Sequence, residues 1–134
     1  MKVILSGGGT GGHVYPAIAI ANKIKEHHPD AEILFVGTKA GIEAEIVPKY
    51  GYRIKYIDVQ GFRRKIDLEN VKRLIKFLKS LGDSKRIIKR FKPDLVIGTG
   101  GYVSGSVVLK ASKMGIKSCI HEQNSFPGMT NKML

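Results

Sequence analysis

Apolar residues fall into short compact runs separated by longer stretches of mixed polarity. Residues 2–5, 32–36, 94–97 and 118–121 each carry such a run, rich in Val and Ile, and read as strands buried on both faces. Residues 52–58 alternate apolar and polar positions and read as a further strand. Between these runs the spacing turns helical, over 16–27, 41–49, 67–81, 84–91 and 103–114. Pro16 suits a first helical turn, where a missing N–H costs little. Pro48 and Gly51 close the second helix, Asp67 is placed to cap the third, and Gly115 stops the last. Strand and helix in alternation predict an α/β fold, a doubly wound parallel sheet with helices on both faces. Right-handed crossovers favour the strand order 3-2-1-4-5. No linker or low-complexity tract divides residues 1–134, so a single Rossmann-like domain is expected.

One short sequence occurs twice. Gly8-Gly9-Thr10-Gly11-Gly12 follows the first strand, and Gly98-Thr99-Gly100-Gly101 follows the fourth. In the expected order these strands are neighbours at the switch point, where open α/β sheets bind ligands. A glycine turn opening a helix exposes backbone N–H groups at a partially positive helix end, which suits phosphate. Two such loops side by side point to a diphosphate. The fifth strand leads into His121-Glu122-Gln123-Asn124, which would bring a third polar loop to the same crevice.

Other phosphate ligands fit less well. Gly7, Gly9 and Gly12 satisfy G-x-G-x-x-G, but the second strand leads to Lys39 with no acid for a ribose. That disfavours NAD and leaves NADP as an alternative. A P-loop is excluded, because His13 and Val14 stand where Lys and Ser/Thr are required. There is no Asp-x-Asp pair, and adjacent His121 and Glu122 would point apart on a strand. No metal site and no cofactor is therefore expected. His13 follows the glycines at the helix start, where the positive end favours a neutral imidazole, the form a general base needs. Base and phosphate ligand are equally open roles for it, and Glu122 is the second candidate base.

Charge adds a partner. The 134 residues carry a net charge of +12. Residues 61–92 hold 12 Lys/Arg against three acids, most of that excess. Arg63, Arg64 and Lys65 precede an amphipathic stretch in which Lys72, Lys76 and Lys79 interleave with Leu74, Ile75, Phe77 and Leu78. Lysines meeting lipid phosphates, with apolar side chains dipping into the interface, describe an anionic membrane surface. Few aromatic residues and no nucleic-acid module argue against nucleic acid. The single cysteine, Cys119, lies in an apolar run and is expected to be a buried, inert thiol.

Three ordered motifs carry a resemblance. Gly-Gly-Thr-Gly-Gly-His at 8–13, Gly-Thr-Gly-Gly-Tyr-Val-Ser-Gly at 98–105 and His-Glu-Gln-Asn-Ser at 121–125 closely resemble those of the bacterial peptidoglycan N-acetylglucosaminyltransferases, which convert lipid I to lipid II. The resemblance covers the whole chain. It implies the N-terminal half of a GT-B glycosyltransferase, with a C-terminal donor-binding domain absent from this chain. It implies a lipid-linked acceptor, undecaprenyl-diphospho-MurNAc-pentapeptide, bound here, and UDP-GlcNAc bound through the missing domain. The two loops (Gly8, Gly9, Thr10, Gly11, Gly12; Thr99, Gly100, Gly101) would cradle the diphosphate. His13, Tyr102, His121, Glu122 and Asn124 would line the cleft. The basic helices would sit on the cytoplasmic face of the bacterial cell membrane as a peripheral contact. By itself this half is expected to catalyse no transfer. A separate membrane-recruitment subunit of a split enzyme would share every motif, and remains the second reading.

Overall fold

The computed structural model describes residues 1–60 and 68–121. Five strands, β1 (Lys2–Gly7), β2 (Glu32–Gly37), β3 (Arg53–Tyr56), β4 (Leu95–Gly100) and β5 (Lys117–Ile120), form one sheet of order β3-β2-β1-β4-β5. Every pairing is parallel. The helices are α1 (Gly11–His27), α2 (Glu43–Lys49), α3 (Leu68–Phe91) and α4 (Tyr102–Lys113). The order is the one the alternation predicts.

The two-residue period of β1 splits the core. Val3 and Leu5 join one cluster with Val14, Ala17 and Ile18 of α1, and with Phe35 and Ile46. Ile4 points the other way, into a cluster with Ile88 of α3 and Val103, Val107 and Ala111 of α4. Both faces of the central strands are thus covered, as a parallel sheet requires. The Phe35 and Tyr52 rings pack at a 44° tilt with centroids 5.3 Å apart, and the Tyr52 hydroxyl donates to Asn22 Oδ1 at 2.6 Å. Partial burial pushes the Tyr52 phenol up from its ordinary value.

Three local expectations are corrected. Helix α1 begins at Gly11, five residues before Pro16, which lies inside it. Thr10 supplies the extended N-cap at φ −132° and ψ 159°, and contacts from β4 hold the glycine-rich first turn that propensity alone disfavours. The two helices read at 67–81 and 84–91 are one continuous α3, with Gly82 inside it. Ser80 and Ser84 are buried on its inner face, and Ser80 Oγ meets Ser106 Oγ of α4 at 2.7 Å. That docking carries the helix across the glycine. Cys119 is exposed, as is every residue of β5, which among the described residues has one neighbouring strand, β4. Arg63, Arg64, Lys65, Asp67, Glu122, Gln123 and Asn124 lie outside the described residues.

Candidate functional site

Parallel pairing of β1 with β4 puts their C-terminal ends together. The ladder runs Val3–Leu95 to Ser6–Gly98, then slips so that Gly7 faces Gly100. Past that slip the two glycine loops touch directly. The Gly8 amide donates to Gly100 O at 3.2 Å, and Thr99 Oγ1 donates to His13 O at 2.6 Å. Gly101 has φ +90°, and a Cβ there would stand 2.5 Å from Gly8 O. Only glycine allows both the backbone sign and this approach. The echoed sequences are therefore two halves of one joint.

The joint opens into a cleft of about 350 Å³. Gly8, Gly9, Thr10 and His13 come from the first loop, and Gly101, Tyr102 and Val103 from the second. Thr38 after β2 and Val59 after β3 complete the lining. Both α1 and α4 begin at this cleft, and neither N-cap residue makes a side-chain capping bond. Two positive helix ends thus address one cavity, the arrangement that attracts a doubly charged anion.

The His13 imidazole makes one hydrogen-bond contact among the described residues. Its Nδ1 lies 3.0 Å from Gly8 O. A carbonyl oxygen can only accept, so Nδ1 carries the hydrogen. In the neutral ring Nε2 then keeps its lone pair, ready to take a proton. A Cβ on Gly100 would run into the imidazole. The ring is thus set in rotation by Gly8 and in position by Gly100.

Glu43, which no sequence motif singles out, underpins the first loop. It is 1% exposed. Its Oε1 accepts from the Gly9 amide at 3.2 Å, and its Oε2 from the Thr38 amide at 2.9 Å and the Thr38 hydroxyl at 3.3 Å. A Cβ on Gly8, Gly37 or Gly41 would collide with its side chain. Its only signal in the chain is an acid among flanking glycines, Gly37 and Gly41, close after a strand.

The expected site residues divide. Gly8, Gly9, Thr10, His13, Gly101 and Tyr102 line the cleft. Thr99 is fully buried, with its hydroxyl committed to His13 O, so it braces the loops and does not reach a ligand. Gly100 joins the two loops through its carbonyl, and Gly11, Gly12 and Gly100 are not among the lining residues. His121 is exposed after β5, its amide donating to Gly98 O at 2.8 Å, and it is not among the lining residues. Among the described residues no group of three or more His, Cys, Asp or Glu is placed to hold a metal ion.

Comparison with known proteins settles the family. The N-terminal domain of glycosyltransferase family 28 matches residues 3–134. This chain belongs to family 28. That membership sets aside the NADP reading of the glycine loop. Among family relatives, the UDP-N-acetylglucosamine--N-acetylmuramyl-(pentapeptide) pyrophosphoryl-undecaprenol N-acetylglucosamine transferase of Clostridioides difficile is 69% identical over 134 residues, covering 100% of this chain and 33% of that protein. The same-named protein of Alkaliphilus oremlandii is 64% identical, over 100% of this chain and 37% of its own length. The crystal structure of Acinetobacter baumannii MurG superposes with a TM-score of 0.85 at 35% identity, over 98% of this chain and 38% of that one. The rhamnosyltransferase SpnG, at 10% identity and a TM-score of 0.69, shares the fold. The chain spans about a third of the length of these curated relatives.

Proposed function

We propose that this family 28 chain is the acceptor-binding half of an inverting glycosyltransferase. The complete enzyme transfers GlcNAc from UDP-GlcNAc to undecaprenyl-diphospho-MurNAc-pentapeptide, making lipid II for peptidoglycan. The observation that carries this reading is the His13 imidazole, oriented by Gly8 O at the mouth of a cleft built from two helix N-termini. The helix ends and the first glycine loop take the acceptor's diphosphate, and the attached sugar lies against His13. His13 removes the proton from the C4 hydroxyl as that oxygen attacks the donor's anomeric carbon. The bond from that carbon to the UDP oxygen breaks, UDP leaves with the electron pair, and the anomeric centre inverts. Glu122 is the second candidate for the base. UDP-GlcNAc is held by a further domain, so this half by itself is inactive.

The lipid part of the acceptor needs a membrane, and α3 is suited to reach one. Leu68, Val71, Ile75 and Leu78 fall on one stripe of the helix at 78%, 54%, 59% and 57% exposure, with Leu74 at 47% beside them. An apolar stripe turned away from the core and flanked by exposed Lys72 and Lys79 fits the interface of an anionic bilayer. Lys76 and Phe77 are half-buried behind it. No described helix is long and apolar enough to cross a membrane. The proposed contact is peripheral, on the cytoplasmic face.

Calorimetric titration with a short-chain lipid I analogue and, separately, with UDP-GlcNAc tests the assignment. The acceptor analogue is expected to bind this chain and the donor is not. Donor binding at the glycine loops would reverse these two roles.

A further inference from the structure

The cleft does not end at Thr38 and Val59. Both residues also line a second groove, of about 490 Å³, which runs along the ends of β2 and β3 to the middle of α3. The acceptor reading leaves this groove without an occupant. The diphosphate lies at the glycine loops, and the isoprenoid has the exposed stripe of α3. The remaining part of that acceptor is its stem peptide, and the inference rests on that reading.

The groove's chemistry is that of a peptide site. Lys39 is exposed, its ammonium 5.9 Å from the centre of the Tyr56 ring, with no carboxylate partner among the described residues. Asp58, also in the lining, is 75% exposed and 3.8 Å from Lys76 Nζ, a loose pair that water already screens. Asp83 of α3 adds a second carboxylate, paired with Arg86. The Ile57 amide donates to Gly37 O of β2 at 2.9 Å, and the next amide, that of Asp58, donates to no backbone carbonyl among the described residues. Asp58 follows β3, an edge strand of the sheet among the described residues. A cation with no carboxylate partner among the described residues, two carboxylates and an edge amide together suit an extended peptide carrying both carboxylate and amine groups. Three charged side chains, Lys39, Asp58 and Asp83, suit an isoprenoid less than a peptide.

We propose that this groove is the subsite for the acceptor's stem peptide, with Lys39 meeting a peptide carboxylate and Asp58 an amine. Contact with the peptide makes these residues determinants of acceptor specificity, outside the chemistry at His13.

The test uses the full-length enzyme and two short-chain acceptor analogues, one with the pentapeptide and one lacking it. Lys39→Glu and Asp58→Asn both alter exposed side chains, so folding is preserved. The expected result for Lys39→Glu is a rise of roughly tenfold in KM for the peptide-bearing acceptor, about 1.4 kcal/mol of binding. KM for the peptide-free analogue and for UDP-GlcNAc should stay within about twofold of the parent's. Asp58→Asn should show the same selectivity with a smaller rise. Equal effects on both acceptors, or none on either, overturn the subsite. Failure of both analogues to bind the domain in calorimetry instead overturns the acceptor reading beneath it.

Discussion

The carboxylate of Glu43, at the first turn of α2, accepts a hydrogen bond from the amide of Gly9 at 3.2 Å. One buried acid thereby ties the first glycine loop to the loop after β2, where Thr38 supplies two further donors. Glu43→Ala removes the acceptor for all three and leaves a hole beneath the loop. Orphaned buried donors cost about 1–3 kcal/mol each, so the loss of stability should reach about 3 kcal/mol. Urea denaturation measures it. A change below about 1 kcal/mol would mean that water replaces the carboxylate without cost.

His13→Ala in the full-length enzyme should lower kcat by roughly 10²–10⁴-fold, the range for a lost general base. KM for the acceptor should move much less. The opposite split, with kcat intact and KM raised, would assign His13 to the diphosphate alone.

Gly101→Ala places a methyl group against Gly8 O on a backbone with φ +90°. Strain of about 1–3 kcal/mol from this essentially glycine-only conformation, with φ 90° and ψ 165°, adds to the contact. The two loops must separate to relieve it. A stability loss of about 2–4 kcal/mol is expected, together with weaker binding of the acceptor analogue in calorimetry. Unchanged binding would show that the loops need not touch to work.

Gly82→Ala should act in the other direction. Gly82 lies inside α3, and a Cβ there meets nothing within 4 Å. Ala is favoured over Gly in a helix interior by about 0.8–1.0 kcal/mol. A rise in Tm of about 2–6 °C is expected from a calorimetric scan. A fall would reveal that α3 must bend at this point.

Ile75→Glu with Leu78→Glu places charges on the exposed stripe of α3. Both side chains are more than half exposed, so stability should change by no more than about 0.5 kcal/mol per site. Sedimentation with anionic vesicles should show binding reduced at least roughly tenfold, since two apolar anchors are lost and like charges face the lipid. Undiminished sedimentation would remove the stripe from the membrane contact.

Much of this molecule is legible in its sequence. The compact apolar runs at 2–5, 32–36 and 94–97 could only be buried strands, and helices between them impose parallel pairing and a right-handed crossover. That logic yields the order β3-β2-β1-β4-β5 and with it the meeting of the two glycine loops. His13 is legible for the same reason, since its position just past the glycines is local.

What tertiary structure alone decided is long-range. Thr99 looks like a ligand contact in a glycine-rich motif, yet its hydroxyl reaches 86 positions back to His13 O. Glu43 carries no local signature, because its partners Gly9 and Thr38 come from two other loops. Gly82 reads as a helix break until the docking of Ser80 on Ser106 outweighs its propensity. Cys119 reads as buried, yet β5 is exposed along its whole length among the described residues. Local pattern determines which segments are strands and helices and where the glycine turns fall, because periodicity and turn chemistry act within a few residues. Which buried polar groups find each other, and which apolar faces stay uncovered, depends on packing between segments far apart in the chain.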